Sequence, residues 1–472
     1  MGHFDFGMVG LGTMGGNLAQ NIADHGYSVM GLDRSPEKVA EFSALAAGRR
    51  FQGTTDPRAF IAELEVPRIV MILVPAGDPV DQIISQLRLF MDAGDFFIDG
   101  GNSHFRDTER RAWELAKANL GFIGIGVSGG EKGARTGPSM MAGGNEASYR
   151  RVQPILEAVA ATYGGEPCVA LLGKGAAGHY VKMVHNGIEY GLIQLIAESY
   201  DLLRRGLGMG NAAMADLYEL WTDAPFGGFL TQITTDILRY IDPETDDYLV
   251  EYVLDKAKQK GTGKWTSQDA LDLGIPIPTI DAAVSARQIS GMKETRIASE
   301  AQFGSPLRID SVTASDAQGV ADELRRALHL SFLATYVQGI SLLEAASIEH
   351  GMEIDIEGCA RVWRAGCIIR SKLLEPLRAA IREKAVGDSV LKSVGIAEAV
   401  TDNIDSLRYL VNRMALGGIP APCFSATLSY LDAICTARLP ANLIQAQRDY
   451  FGAHTYERTD REGSFHSDWG PN

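Results

Sequence analysis

The rhythm of apolar and polar positions changes after the first third of the chain. In that first part, short apolar runs alternate with amphipathic stretches. Phe6–Val9, Ser28–Leu32, Arg68–Val74, Asp95–Ile98 and Phe122–Val127 are rich in Val, Ile, Met and Phe and are punctuated by Gly or Pro, as buried strands are. Met14–His25 and Pro36–Leu45 have helical spacing. Strands alternating with helices predict a doubly wound α/β sheet. Beyond about Gly175, strand-like runs become rare. Gly178–Arg205, Val320–Glu349 and Ser406–Ala415 carry helical periodicity, so a large all-α domain is expected. Tyr190–Ser199 (YGLIQLIAES) and Tyr336–Ala345 (YVQGISLLEA) are weakly alike, but helical segments often imitate one another. Arg448–Asn472 is polar, carries Gly, His and Trp, has no helical period, and reads as an extended tail. The expected division is an α/β domain over residues 1–176, a helical domain over 177–435 and a C-terminal tail over 436–472.

The 472 residues suit two or three domains, and 46% apolar with 22% charged residues is a soluble globular composition. A net charge of -15 argues against a nucleic-acid surface, while a local cluster of Arg and Lys still suits an anionic small molecule. Cys168, Cys359, Cys367, Cys423 and Cys435 are scattered and form no CxxC pair. They predict reduced thiols rather than a disulfide framework or a zinc site. No signal peptide and no apolar run of ~18 residues is seen, so a cytoplasmic protein off the membrane is expected.

Val9-Gly10-Leu11-Gly12-Thr13-Met14-Gly15 matches GxGxxG. The match follows a strand-like run and opens a helix, and an acidic residue, Asp33, lies roughly 20 residues on at a second strand end. Gly10 permits the tight turn, Gly12 lets a pyrophosphate approach the backbone, and Gly15 lets helix and strand pack closely. The first domain is therefore read as a Rossmann-like dinucleotide-binding domain. Asp33 suits a ribose diol and repels a 2′-phosphate, whereas Arg34 beside it suits that phosphate.

In Gly178–Tyr190, the residues Lys182, His185, Asn186 and Glu189 fall at i, i+3, i+4 and i+7, one face of a helix. An ordinary exposed face carries plain Glu and Lys pairs instead, and nothing here resembles HExxH, so no metal is expected. A Lys–Glu pair lining a cleft beside a nicotinamide suits acid–base work on an alcohol. A desolvated Lys becomes a neutral base and a desolvated Glu an acid.

The loop GLGTMGGN resembles the β-hydroxyacid dehydrogenase superfamily. Further segments resemble 6-phosphogluconate dehydrogenases in particular: DGGNSHFRDT (Asp99–Thr108), GVSGGEKGARTGPSMMAGG (Gly126–Gly144), KMVHNGIEYG (Lys182–Gly191), KGTGKWT (Lys260–Thr266), WRAGCIIRS (Trp363–Ser371) and LIQAQRDYFGAHTYER (Leu443–Arg458). They span nearly the whole chain. The resemblance implies oxidation of 6-phosphogluconate at C3 and loss of CO2 to give ribulose 5-phosphate, a step of the oxidative pentose phosphate pathway. It also implies an α/β Rossmann-like domain, a large all-α domain and a tail that docks on the partner of a homodimer.

Lys182 would be the general base and Glu189 the acid that protonates C1. Asn102, Ser128, Gly129, Gly130, His185 and Asn186 would hold the carboxylate and hydroxyls. Tyr190, Lys260 and Arg287 would hold the phosphate, with Arg448 and His454 supplied by the neighbouring subunit. The coenzyme would meet Gly10, Leu11, Gly12, Thr13, Met14, Gly15, Asp33, Arg34, Ser35, Val74, Pro75, Ala76 and Asn102. Two positions depart from the NADP-using pattern: Asp33 stands where many members have Asn, and Pro75 where some have Lys. Both remove help for a 2′-phosphate, so NAD is favoured, with NADP open. The chain stops soon after Trp469, so the longer coenzyme-reaching tail of some relatives is expected to be short here. Two other readings compete: a dehydrogenase of a smaller unphosphorylated acid, and a nucleotide-binding regulatory protein. KGTGKWT and RDYFGAH count against the first, and the Lys182–Glu189 pair against the second.

Overall fold

The computed structural model describes residues 3–46, 48–259, 261–308, 317–385 and 387–470. The N-terminal part is built on one sheet of β1 (Phe6–Val9), β2 (Val29–Leu32), β3 (Phe51–Thr54), β4 (Ile69–Ile72), β5 (Phe96–Asp99), β6 (Gly121–Ser128), β7 (Ser139–Gly144) and β8 (Val169–Leu171). Their order is β8-β7-β6-β5-β4-β1-β2-β3. Neighbours run parallel except β6 and β7, which pair antiparallel from Ile123↔Gly144 to Ser128↔Ser139. Helices cover both faces, which is why the strands read as continuous apolar runs. Phe6, Met8, Ile98 and Ile125 pack into one layer, and Val9, Val70, Ile72 and Phe97 into the other. β3, β7 and β8 were not anticipated. β3 is Phe-Gln-Gly-Thr, with only its Phe buried, β8 has three residues, and β7, Ser-Met-Met-Ala-Gly-Gly, ends in glycines that weaken a strand signal.

The sheet order reverses between β1 and β4, so the loops leaving their carboxyl ends splay into a crevice. The long helix Ala177–Asp201 starts beside this sheet and runs into a helical core. Ala317–Glu349, Pro278–Gly291, Thr262–Asp272 and Pro422–Ile434 pack around it. The helices bearing the two look-alike segments lie against each other, Gly191 on Thr335 and Gly339 on Ile188. Among the described residues no helix is long and apolar enough to cross a membrane.

The chain end corrects one expectation. Arg448–Gly452 are the last turns of a helix, Ala441–Gly452, and a small hairpin of Tyr456–Glu457 and Ser464–Phe465 follows. The helix was hidden because its apolar residues Leu443, Ile444, Tyr450 and Phe451 face outward, so no core-facing period marks it. The buried carboxylate of Asp449 ties the segment together. It accepts from Thr455 N (2.9 Å), Ser467 N (3.1 Å), Trp469 Nε1 (2.7 Å) and His466 Nδ1 (2.9 Å).

Candidate active site

The turn leaving β1 is shaped by what its glycines touch. Gly10 has φ 93°, and a Cβ there would stand 2.5 Å from the Leu73 carbonyl. A Cβ at Gly15 would stand 1.9 Å from the Gly10 carbonyl, so helix Thr13–Asp24 lies hard against the turn. Gly12 differs: a Cβ added there meets nothing within 4 Å. It is the N-cap of that helix, and no side chain caps it. An open helix N-terminus of this kind fits the pyrophosphate of a dinucleotide.

Asp33, at the end of β2, accepts from Leu11 N through Oδ2 (2.9 Å) and from Ser35 N through Oδ1 (3.0 Å). The acid thus holds the loop between the turn after β1 and helix Pro36–Ala44. Arg34 is exposed, and Ser35 caps helix Pro36–Ala44 by accepting from Lys38 N (3.2 Å). Val74 lies close to Gly10, while Pro75 and Ala76 are exposed. Asn102 is exposed on the loop leaving β5.

The helical stripe lies at the edge of the sheet. Lys182, His185 and Asn186 are buried, with Lys182 only 6% exposed; Glu189 keeps a quarter of its side chain exposed. Lys182 Nζ donates to Asn186 Oδ1 (2.5 Å) and lies 3.3 Å from His185 Nδ1. His185 Nε2 faces Ser128 Oγ at 3.2 Å, and Nδ1 is 4.0 Å from Glu189 Oε2. An ammonium donating to Nδ1 leaves the imidazole proton on Nε2, aimed at Ser128. An exposed helix side is therefore excluded as an account of the stripe.

Burial sets the charges. It pulls the Lys182 ammonium below its ordinary range, and the nearby Glu189 only partly restores it. It pushes the Glu189 carboxyl up, against the pull of Lys182 and Arg287. His185 is held well below its usual value by burial and by Lys182, so the ring is neutral. Lysine and carboxyl are both driven towards their uncharged forms, which suits proton transfer in either direction.

Gly129 (φ 120°) and Gly130 (φ 62°) follow Ser128, and a Cβ at Gly129 would stand 2.5 Å from the Gly366 carbonyl. The Trp363–Ser371 segment thus backs this loop. One turn beyond Asn186, the Arg287 guanidinium carbon lies 3.5 Å from the centre of the Tyr190 ring. Lys260 lies outside the described residues. Arg448 and His454 are exposed on the terminal helix and the turn after it. Arg448 donates to Gln445 Oε1 (3.2 Å), and among the described residues neither bonds to the Lys182 cluster.

Sequence reasoning passed over the residues that back the site. Trp363 is fully buried with its ring 5.9 Å from His185, edge to face. Cys367 donates its thiol to the Trp363 carbonyl (3.0 Å), and its pKa is pushed up to about 12 by burial. Arg111 is buried between two site loops. Its signal was a charged residue on the apolar stripe of helix Phe105–Ala116, beside Phe105, Thr108 and Leu115.

Comparison with known proteins matches this architecture. Residues 5–173 match the family model for the NAD binding domain of 6-phosphogluconate dehydrogenase, and residues 178–469 that for its C-terminal domain. A Bacillus subtilis protein described as 6-phosphogluconate dehydrogenase, NADP(+)-dependent, decarboxylating is 44% identical over 98% of each chain. An Escherichia coli protein described as 6-phosphogluconate dehydrogenase, decarboxylating is 45% identical over 98% of each. The structure of Plasmodium falciparum 6-phosphogluconate dehydrogenase, studied free and with NADP+ and 6-phosphogluconate, superposes with a TM-score of 0.94 at 38% identity. It covers 98% of this chain and 100% of that one. With the coenzyme turn, the buried Lys182 stripe and matches along nearly its full length, the chain belongs to the 6-phosphogluconate dehydrogenase family.

Proposed function

We propose that the chain converts 6-phosphogluconate to ribulose 5-phosphate and CO2 with Lys182 as base and Glu189 as acid. The carrying observation is that both lie on one buried stripe with their pKa values shifted towards each other. The turn Gly10–Gly15 would hold a nicotinamide coenzyme, which would supply the acceptor for the hydride that leaves C3 of the substrate. Neutral Lys182 takes the proton of the C3 hydroxyl as that hydride leaves. The 3-keto acid then loses CO2, and the lysine ammonium neutralises the enolate oxygen. Protonated Glu189 delivers a proton to the former C2, which becomes C1 of ribulose 5-phosphate. Ser128, His185, Asn186, Asn102 and the backbone at Gly129 and Gly130 hold the carboxylate and hydroxyls. Tyr190, Arg287 and Lys260 hold the phosphate, with Arg448 and His454 arriving from a second copy of the chain in a homodimer. The exposed apolar residues of the terminal helix support that docking.

For the coenzyme, the reading is NAD over NADP. The Asp33 carboxylate is fixed by two backbone donors and would face a 2′-phosphate with like charge, and Pro75 supplies no cation. The test is an assay of the purified enzyme on 6-phosphogluconate with each coenzyme, following reduced nicotinamide and released CO2. Turnover with CO2 is expected, with the higher kcat/KM for NAD. No turnover with either coenzyme, or equal turnover of an unphosphorylated hydroxy acid, overturns the reading.

A further inference from the structure

Arg111, on helix Phe105–Ala116, is 1% exposed, and all five of its guanidinium N–H groups have acceptors. Nε donates to Asp81 Oδ1 (2.8 Å). Nη1 donates to Asp99 Oδ2 (3.1 Å) and Ser103 Oγ (3.1 Å). Nη2 donates to Asp81 Oδ2 (3.2 Å) and to the Gly77 carbonyl (3.1 Å). Its carboxylate partners are equally engaged. Asp99 accepts from Gly101 N (3.1 Å) and Ser103 Oγ (2.7 Å), and Asp81 accepts from Arg110 Nη2 (2.9 Å).

These partners come from two loops. Gly77 and Asp81 belong to the loop and helix after β4, which carry Val74, Pro75 and Ala76. Asp99, Gly101 and Ser103 belong to the end of β5 and its loop, which carries Asn102. We propose that Arg111 is a positioning residue for hydride transfer. It clamps the loop after β4 to the loop after β5 and so fixes the coenzyme edge relative to the substrate at Asn102. This rests on the coenzyme and substrate reading given above. A buried fork with every donor used specifies one separation of the two loops. A lysine there has one nitrogen and three donors and cannot span Asp81 and Asp99 together. Misplacing reacting groups by about 1 Å costs on the order of 100-fold in rate.

The test uses full-length Arg111→Lys, with kcat, both KM values and Tm, and calorimetric binding of ADP-ribose, which would meet the Gly10–Gly15 turn and the loop after β4 but not Asn102 after β5. The expected result is a loss in kcat of roughly 10- to 100-fold with ADP-ribose affinity within about twofold. A variant with lower Tm but kcat and KM within about twofold of the parent makes Arg111 a stability staple and overturns the proposal. Should Arg111→Lys fail to fold, Asp81→Asn at the one-third exposed end of the network replaces it. A fall in kcat of about threefold or more supports the clamp, and unchanged kinetics refute it. Failure of the underlying reading shows separately, as a parent enzyme that neither turns over nor binds ADP-ribose.

Discussion

Replacing Lys182 by Met should disable the enzyme and stabilise the protein at once. The activity side follows from its position: a single general base contributes ~10²–10⁴-fold. A loss in kcat of about 10³ corresponds to about 4 kcal/mol of barrier. The stability side follows from burial. Lys182 is 6% exposed and its pKa is depressed by burial, so the folded state holds a proton less willingly than the unfolded one. That cost is full wherever lysine is charged in both states. It fades as pH rises from the folded pKa towards the ordinary 10.5, because the unfolded chain then gives up its proton too.

Methionine keeps the length of the stem and removes the charge. Its neighbours need not be orphaned, because His185 Nδ1 lies 3.2 Å from Asn186 Oδ1 and satisfies it by moving its proton to Nδ1. Exchanging a buried ion for an apolar group of similar volume stabilises by about 1–4 kcal/mol, which is several degrees in Tm. The assays are steady-state kinetics, coenzyme titration, and thermal unfolding from pH 6 to 10. The gain in Tm should be largest at pH 6 and shrink towards pH 10, with coenzyme affinity unchanged. A variant less stable than the parent at every pH, or one with kcat within tenfold, refutes the reasoning.

Gly12→Val should fold normally, since Gly12 has extended backbone and open space around its Cβ, yet lose coenzyme binding by more than about 100-fold; titration and Tm together check this. Asp33→Asn should raise the NADP to NAD ratio of kcat/KM by about tenfold or more, as one charge is worth more than ~1 kcal/mol at close range; an unchanged ratio removes Asp33 from coenzyme choice. Glu198 is buried and accepts from Cys423 N (2.9 Å) and Phe424 N (3.1 Å), and burial raises its pKa to about 7. Its folded pKa exceeds the ordinary 4.5, so the stability it contributes is full below pH 4.5 and is lost as pH rises through 7. Glu198→Gln should therefore gain in Tm relative to the parent across that window, by up to about 3 kcal/mol in free energy, and a difference independent of pH would discount the carboxyl.

The stripe of Lys182, His185, Asn186 and Glu189 was legible because helical geometry turns a spacing of three and four into a shared face. Its burial was not legible. The cover over His185 comes from Ser128 on one side and Trp363 on the other, segments far apart in sequence. The same holds for Arg111, whose partners Asp81 and Asp99 meet only when β4 and β5 are paired. The shape of the turn after β1 was readable at Gly12 and Gly15, which act within one local strand–turn–helix unit, whereas the Leu73 carbonyl that presses on Gly10 comes from the segment after β4. The helix at Arg448 was missed because it turns its apolar residues away from this chain's core.

The glycines of β6 carry the remaining link between pattern and site. GFIGIGVS puts Gly124 and Gly126 two apart, on one face of the strand. On the facing helix, His179 and Lys182 are three apart, on one face as well. A Cβ at Gly124 would stand 2.8 Å from His179 Nδ1, and one at Gly126 2.2 Å from Lys182 Cβ. Strand and helix periods thus meet at two bare positions, and the lysine stem lies directly on the strand backbone. That contact buries the stem of Lys182, and burial of the residue is what lowers its pKa. Glycine in a strand interior weakens the strand, so β6 gives up local stability to seat Lys182, the base proposed above, against its backbone. The strand pattern and the helix stripe therefore meet residue on residue, Gly124 against His179 and Gly126 against Lys182.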